Sequence, residues 1–209
     1  MKKSILVLAL ALSGLHTLPA AAQFGGLLNR SGGGQAAAPD AQAFVDSFIR
    51  SQGQVVTAQV YFAEALNLKD VADGLRAEQQ AFGSGTIDTD RLKKISEVSA
   101  NAQRAIDERQ QAQPELDAAS REIYGKGLLS LFEGLKSGRE VVQNAQAVSS
   151  GLGSNPLALV GSGRTALHVV KQAPGYLKSL QQSARMAMQF GKNNGVQAPA
   201  NATSMLDDM

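Results

Sequence analysis

The chain has 209 residues, with 20 Lys or Arg, 18 Asp or Glu and no Cys. This length suits one ordinary domain, and the lack of cysteine excludes disulfides, a lipidated cysteine and thiolate metal sites. The formal net charge of +2 equals the contribution of Lys2 and Lys3, in a segment that we expect to be removed, so it does not indicate a nucleic-acid partner.

The first 22 residues have the pattern of a secretory signal peptide. Lys2 and Lys3 precede an apolar run over residues 5–12, and the alanines at 20–22 supply an A-x-A cleavage site. The apolar run is shorter than the roughly 20 residues that a membrane span needs. We therefore predict cleavage after Ala22 and export, with the periplasm as the expected location and secretion as the alternative.

The next segment, residues 23–39, contains five glycines and a run of three alanines. Such a composition buries little surface, so we predict a flexible leader. A helical domain is predicted at residues 40–192. Residues 193–209 are predicted to be a flexible C-terminal tail.

Helical periodicity begins at Asp40, a good N-cap residue. Apolar side chains recur every seven residues from Ala41, which predicts one amphipathic helix over residues 41–66. Gln52 and Gln59 interrupt its apolar face. They either lie at the margin of the helix seam or form a buried amide layer that fixes register or contacts a ligand, and we favour the margin.

Three further helices are predicted before residue 155. Asn67 can cap the second, and the third begins near Asp88. Pro114 would end the third helix and open the fourth as its first residue. Within the fourth, residues 125–127 read Gly-Lys-Gly, which indicates either a break between two helices or a kink in one long helix.

The last predicted helical region, residues 160–192, carries a basic residue at every seventh position and no acidic residue. These five residues, the basic stripe, are Arg164, Lys171, Lys178, Arg185 and Lys192. Seven residues are close to two helical turns, so the basic side chains should follow one flank of an apolar seam. Pro174 either kinks this helix or starts another.

The sequence contains no convincing pattern for catalysis, a cofactor or a metal. His168 is the only histidine after residue 22, and no Asp or Glu lies within 20 residues of it, which argues against a catalytic triad or a zinc site. Residues 161–166 match the G-x-G-x-x-A form of a dinucleotide loop. However, residues 141–206 contain no acid to bind the ribose. We predict a protein that is not an enzyme and has no cofactor.

Charge is distributed unevenly along the chain. Residues 40–140 have 16 acidic and 12 basic residues, whereas residues 141–205 have five basic and no acidic ones. We therefore expect the basic stripe to pack beside acidic flanks of the earlier helices. The predicted fold is all-α, an antiparallel bundle or an elongated coiled-coil-like arrangement of about five to six helices.

The predicted function is that of an exported, non-enzymatic structural or interaction protein of the bacterial cell envelope. Its partner would be an unknown protein or a second copy of the chain, with the basic stripe as the contact surface, and no nucleic acid is expected. In a first alternative, the basic stripe binds an anionic membrane surface or lipopolysaccharide. A second alternative is an enzyme whose site the sequence does not reveal.

Overall fold

A computed structural model describes residues 40–82, 88–154 and 161–207 of the chain. The regular secondary structure in these ranges is entirely α-helical: α1 (Ala41–Ala65), α2 (Lys69–Phe82), α3 (Thr89–Gln111), α4 (Ala118–Ser154), α5 (Ser162–Asn193) and α6 (Ala202–Asp207). The helices pack against one another as a bundle, which confirms the predicted all-α fold. The predicted signal peptide (1–22) and leader (23–39) lie outside the described residues.

Helix α1 is the centre of the bundle, because α2, α3, α4 and α5 all pack against it. Asp40 caps its first turn as predicted, with its carboxylate accepting a hydrogen bond from the backbone N–H of Gln42 at 2.9 Å. Residues on every side of α1 are buried. A helix enclosed in this way buries polar positions together with apolar ones, and this is where the candidate site arises.

Asn67 ends α1, so the prediction that it caps α2 is wrong. Its φ of 59° places it in the left-handed region, which asparagine adopts more readily than most residues. The N–H of Asn67 donates to the carbonyl of Glu64, and the N–H of Leu68 donates to that of Ala63. This pair of bonds is the Schellman pattern of a helix C-terminus.

Helix α4 begins later than predicted. Pro114 follows the end of α3, but α4 starts at Ala118, with Asp117 accepting a bond from the N–H of Ser120 at 2.7 Å. This bond lowers the pKa of the Asp117 carboxyl. The Gly-Lys-Gly at residues 125–127 lies inside one continuous helix, because packing against α1 outweighs the low helix propensity of glycine.

Helix α5 also runs without a break, with Pro174 inside it. Proline removes the hydrogen bond to the carbonyl of Val170, and the ring lies on the exposed side of the helix. The neighbouring Ala173 is fully buried, as are Val169 and Leu180 on the same side. Tertiary contacts on both sides of the proline therefore keep residues 162–193 in one helix.

Residues after Asn193 differ from the predicted flexible tail. Gly195 follows the end of α5 with φ of 74°, and the chain then forms α6. Ala202 and Leu206 of this helix are buried in the core. The guanidinium groups of Arg139 and Arg185 donate to the carbonyls of Met205 and Leu206, each at 2.7 Å. These four contacts dock a segment whose short apolar pattern did not predict a helix.

Tyr124 connects three helices in the largest core cluster. Its hydroxyl donates to the carbonyl of Ala187 on α5 at 3.0 Å and accepts a bond from Gln110 on α3 at 2.7 Å. Its ring contacts Phe62 and Phe190, at centroid distances of 4.6 and 5.3 Å. Burial, together with the negative charge of Asp107, raises the pKa of Tyr124, so the hydroxyl stays protonated and keeps both bonds.

Glycines on α4 let this helix approach α1 closely. A Cβ built on Gly127 would lie 2.6 Å from the ring of Phe62, and one on Gly134 would lie 2.9 Å from Val55. Phe62 is only 1% exposed and is packed on Tyr124, so its ring cannot move aside without disturbing the core. The separation of α1 and α4 therefore depends on these two positions.

We expect Gly127→Ala to destabilise the protein, although alanine is the better helix former. Overpacking a core costs about 1–3 kcal/mol, which exceeds the gain of about 1 kcal/mol from helix propensity. Gly74→Ala on α2 is the matched control, because nothing lies within 4 Å of its Cβ position. This control should raise the free energy of unfolding by about 0.5–1 kcal/mol. Urea denaturation of both variants measures the difference, and a Gly127→Ala protein as stable as the control would contradict the close approach.

Candidate functional site

All five residues of the basic stripe are exposed on α5. Within the described ranges, no Asp or Glu lies within 4 Å of any of their charged groups. The four ion pairs found there join other residues: Arg76 with Glu64, Arg76 with Asp73, Lys93 with Asp90, and Lys126 with Glu122. The expected pairing of the stripe with acidic flanks of earlier helices is therefore wrong for the described part of the chain.

The five basic residues do not share one flank of the bundle. A straight α-helix rotates by about 20° for each seven-residue step, so four steps turn the stripe by about 80° around the axis. Lys171 accordingly faces a cavity beside α3. Arg185, two steps further on, donates to the carbonyl of Leu206 in α6, which gives it a structural contact. Arg164, Lys178 and Lys192 project to the outside.

The cavity beside Lys171, which we call the α1–α3–α5 cavity, has a volume of about 550 Å³. Helix α1 provides Gln52, Val55 and Gln59, while α3 provides a polar row that includes Ser99, Gln103 and Arg104. Helix α5 closes it with a face that runs from Lys171 to Ser183. Sites for small molecules in proteins have about this volume.

Gln59 is buried and locks α1 to α3, so the preferred interpretation that it lies at the margin is wrong. Its amide donates to the carbonyl of Ser99 at 3.0 Å and to the side chain of Gln103 at 3.1 Å. The hydroxyl of Ser99 donates back to the Gln59 carbonyl oxygen at 2.9 Å. Each polar group is satisfied by a partner on the opposite helix, which fixes the register of the two helices.

Gln52 is buried in the same wall but lacks such partners. The residue is 4% exposed and lines the α1–α3–α5 cavity. Within residues 40–82, 88–154 and 161–207, none of the side-chain hydrogen bonds involves its amide. The amide group therefore has its hydrogen-bonding capacity directed at the interior of the cavity.

Tyr176 forms the part of the wall where α5 meets α1. Ser51 donates to the carbonyl of Gly134 at 2.8 Å, and the hydroxyls of Ser51 and Tyr176 lie 2.9 Å apart. Because the Ser51 proton is already used, the Tyr176 hydroxyl is the donor in this second bond. Burial raises the pKa of Tyr176, against a smaller lowering by the bond to Ser51. A neutral tyrosine thus holds this wall in place.

The electrostatic environment on this side of α5 is positive. Among the described residues that line the cavity, Arg104 and Lys171 are the charged ones, and none is Asp or Glu. One turn before Lys171, the pKa of His168 is lowered below 6.5 by burial and by the charges of Lys93 and Lys171. The two lysine charges thus add to the effect of burial where α3 and α5 meet.

The described residues contain no group of three or more His, Asp or Glu that could hold a metal ion. In the same ranges, no helix has both the length and the hydropathy needed to cross a membrane.

Comparisons with protein-family models, with curated proteins and with solved structures find no match. The geometry of α5 and of the cavity is therefore the basis for a functional proposal.

Lys171, Gln52 and Gln59 stand out in the sequence, but the sequence does not show that they line the same cavity. It did not single out Arg104 or the polar row on α3. A signal was present: Ser96, Ser99 and Gln103 follow the i, i+3, i+7 spacing of one helix face. A polar row on a buried side of a helix predicts a polar layer, but only the packing shows which row faces which.

We expect His168 to make the protein less stable in mild acid. Its pKa in the folded chain lies below the unfolded value near 6.5, so the unfolded chain binds the proton more readily and stability falls as the pH drops through 6.5. His168→Gln cannot take up this proton. The fall in Tm between about pH 7.5 and about pH 5.5 should be smaller in the variant than in the wild type. Equal falls in both proteins would show that His168 is not responsible.

Proposed function

We propose that this protein is an exported, non-enzymatic interaction protein of the bacterial cell envelope that binds an anionic partner through exposed cations of α5. The observation that supports this proposal is that no carboxylate in the described part of the chain lies within 4 Å of Arg164, Lys178 or Lys192. If acidic residues of the bundle paired with these cations, the basic stripe would serve to hold the helices together. Without one, these charges are available to another molecule.

The partner would contact charges rather than an apolar helix face. Val169, Leu180, Ala184 and Phe190 point inward and are buried, so α5 has no apolar side to offer while it stays in the bundle. An exposed ion pair contributes only about 0.2–1 kcal/mol. Specific binding would therefore need several of these cations at once, on a partner with matching negative charges such as an acidic protein or a second copy of the chain.

An anionic membrane surface is the second candidate, supported by the same cations. A basic residue near such a surface contributes about 1 kcal/mol. Stable binding usually adds inserted aromatic or aliphatic side chains. The one large hydrophobic side chain that is strongly exposed in the described ranges, Leu129 at 55%, belongs to α4. A protein partner therefore remains our first proposal.

Export is tested by the N-terminus of the protein recovered from periplasmic and culture fractions. If residues 1–22 are a signal peptide, mass spectrometry will find Gln23 as the first residue, because the small residues before it form the cleavage site. A protein that begins at Met1 and remains with the cytoplasmic fraction would overturn the proposal of export.

Partner binding is tested with a triple variant on the outer face of α5, Arg164→Gln, Lys178→Gln and Lys192→Gln. The matched control removes three exposed lysines from other helices: Lys69→Gln, Lys94→Gln and Lys136→Gln. Each immobilised protein captures partners from an envelope extract at about 0.1 M and about 1 M salt, between which the Debye length falls from about 10 Å to about 3 Å. Captured proteins are identified and then titrated individually against both variants.

A partner that uses α5 should be lost at high salt and should bind the α5 variant about three-fold to a hundred-fold more weakly, at about 0.2–1 kcal/mol per charge. The control should bind like the wild type. Equal binding by all three proteins, or equal loss in both variants, would exclude α5 as the contact surface. Co-sedimentation with neutral and anionic vesicles tests the second candidate, which requires binding to the anionic vesicles alone.

A further inference from the structure

We propose that the α1–α3–α5 cavity is a binding site for a small carboxylate with an elongated apolar body. This inference goes beyond partner binding, because it concerns an internal cavity and depends on residues of α1 and α3. Arg164, Lys178 and Lys192, which test the partner, do not line the cavity. The two proposals can therefore fail separately.

The unpartnered amide of Gln52 is the first observation that points to a ligand. Gln52 is only 4% exposed and lines the cavity, and its amide makes no hydrogen bond in the described ranges. Its neighbour two turns on, Gln59, has its amide occupied by Ser99 and Gln103. The amide NH₂ of Gln52 is thus the donor that a ligand oxygen inside the cavity would meet.

The charges at the cavity favour an anion. Arg104 comes from α3 and Lys171 from α5, and none of the described residues that line the cavity is Asp or Glu. The side chain of Arg104 is bonded to the neutral Asn101, and Lys171 has no carboxylate within 4 Å in the described ranges. A carboxylate bound in the cavity would therefore lie in a positive field that no acidic side chain of the described lining neutralises.

The remaining lining favours an apolar ligand body. Val55, Ala100, Leu180 and the ring of Tyr176 contribute carbon surface, which would gain from contact with carbon rather than water. The α5 side of the cavity runs from Lys171 to Ser183, a distance of about 18 Å along a helix axis. An elongated chain fits this shape better than a compact ion such as phosphate.

The test uses the purified protein and three probes: octanoate, octanamide and acetate. Octanoate has both the charge and the chain, octanamide has the chain without the charge, and acetate has the charge with almost no chain. Isothermal titration calorimetry should show one octanoate bound per chain, with octanamide and acetate at least about ten-fold weaker. Equal affinities for octanoate and octanamide, or no binding of octanoate, would overturn the proposal.

Two substitutions locate the site. Gln52→Leu keeps nearly the same side-chain volume and removes the amide. This substitution should weaken the binding of octanoate about ten-fold or more, which is the usual effect of losing a hydrogen bond to a charged group. Lys171→Gln should weaken the binding of octanoate about two-fold to five-fold, as expected for the loss of an exposed charge. Lys178→Gln, one heptad further along α5 and outside the cavity, should bind like the wild type.

Unchanged binding in Gln52→Leu would place any octanoate elsewhere and overturn the proposal. If this variant does not fold, as judged by circular dichroism, the Ser179→Trp variant is used to test whether octanoate binds in the cavity. Ser179 lines the cavity but is exposed, so the larger ring can fill the space without entering the core. Binding that survives this block would also overturn the proposal, and binding that is lost while Tm is kept would support it.

Discussion

The close approach of α4 to α1 is the constraint on which the rest of the structure depends. Gly127 and Gly134 leave no space for a Cβ beside Phe62 and Val55, so the two backbones come near enough for Ser51 to donate to the carbonyl of Gly134. That same hydroxyl receives the bond from Tyr176, which positions α5. The wall of the cavity is thus set by two glycines on a helix that does not line it.

A layer of amides and hydroxyls lies inside this bundle where an apolar seam would be expected. Gln59 and Ser99 join α1 to α3 through bonds that satisfy both side chains. Gln110 donates to Tyr124, while its own side-chain oxygen is buried without a partner. Satisfied polar layers specify one arrangement of helices, since any shift leaves buried groups unpaired. Gln52 makes no side-chain hydrogen bond in the described ranges, and its position at the cavity makes it a candidate binding group.

The basic stripe illustrates what heptad reasoning can and cannot establish. The seven-residue spacing correctly indicated one helix with exposed cations, and α5 continues through Pro174 as one of the two alternatives stated. The assumption that basic residues seven positions apart have the same neighbours in the bundle was wrong. The rotation of about 20° per heptad brings Lys171 to the cavity and Arg185 to α6, while Lys178 and Lys192 face outward. Only the positions of α3 and α6 assign these different roles.

The sequence by itself determined the all-α fold, the helix of residues 41–66 with its cap at Asp40, and the exposure of the α5 cations, because these follow from periodicity and local hydrogen bonding along one segment. The tertiary structure decided that residues 118–154 form one helix, that Leu206 docks a sixth helix, and that Gln52, Arg104 and Lys171 meet at one cavity. These features depend on contacts between residues far apart in the chain, where packing energy outweighs local preference. Helix periodicity identifies the buried face of each helix, but it does not identify the neighbour that this face meets.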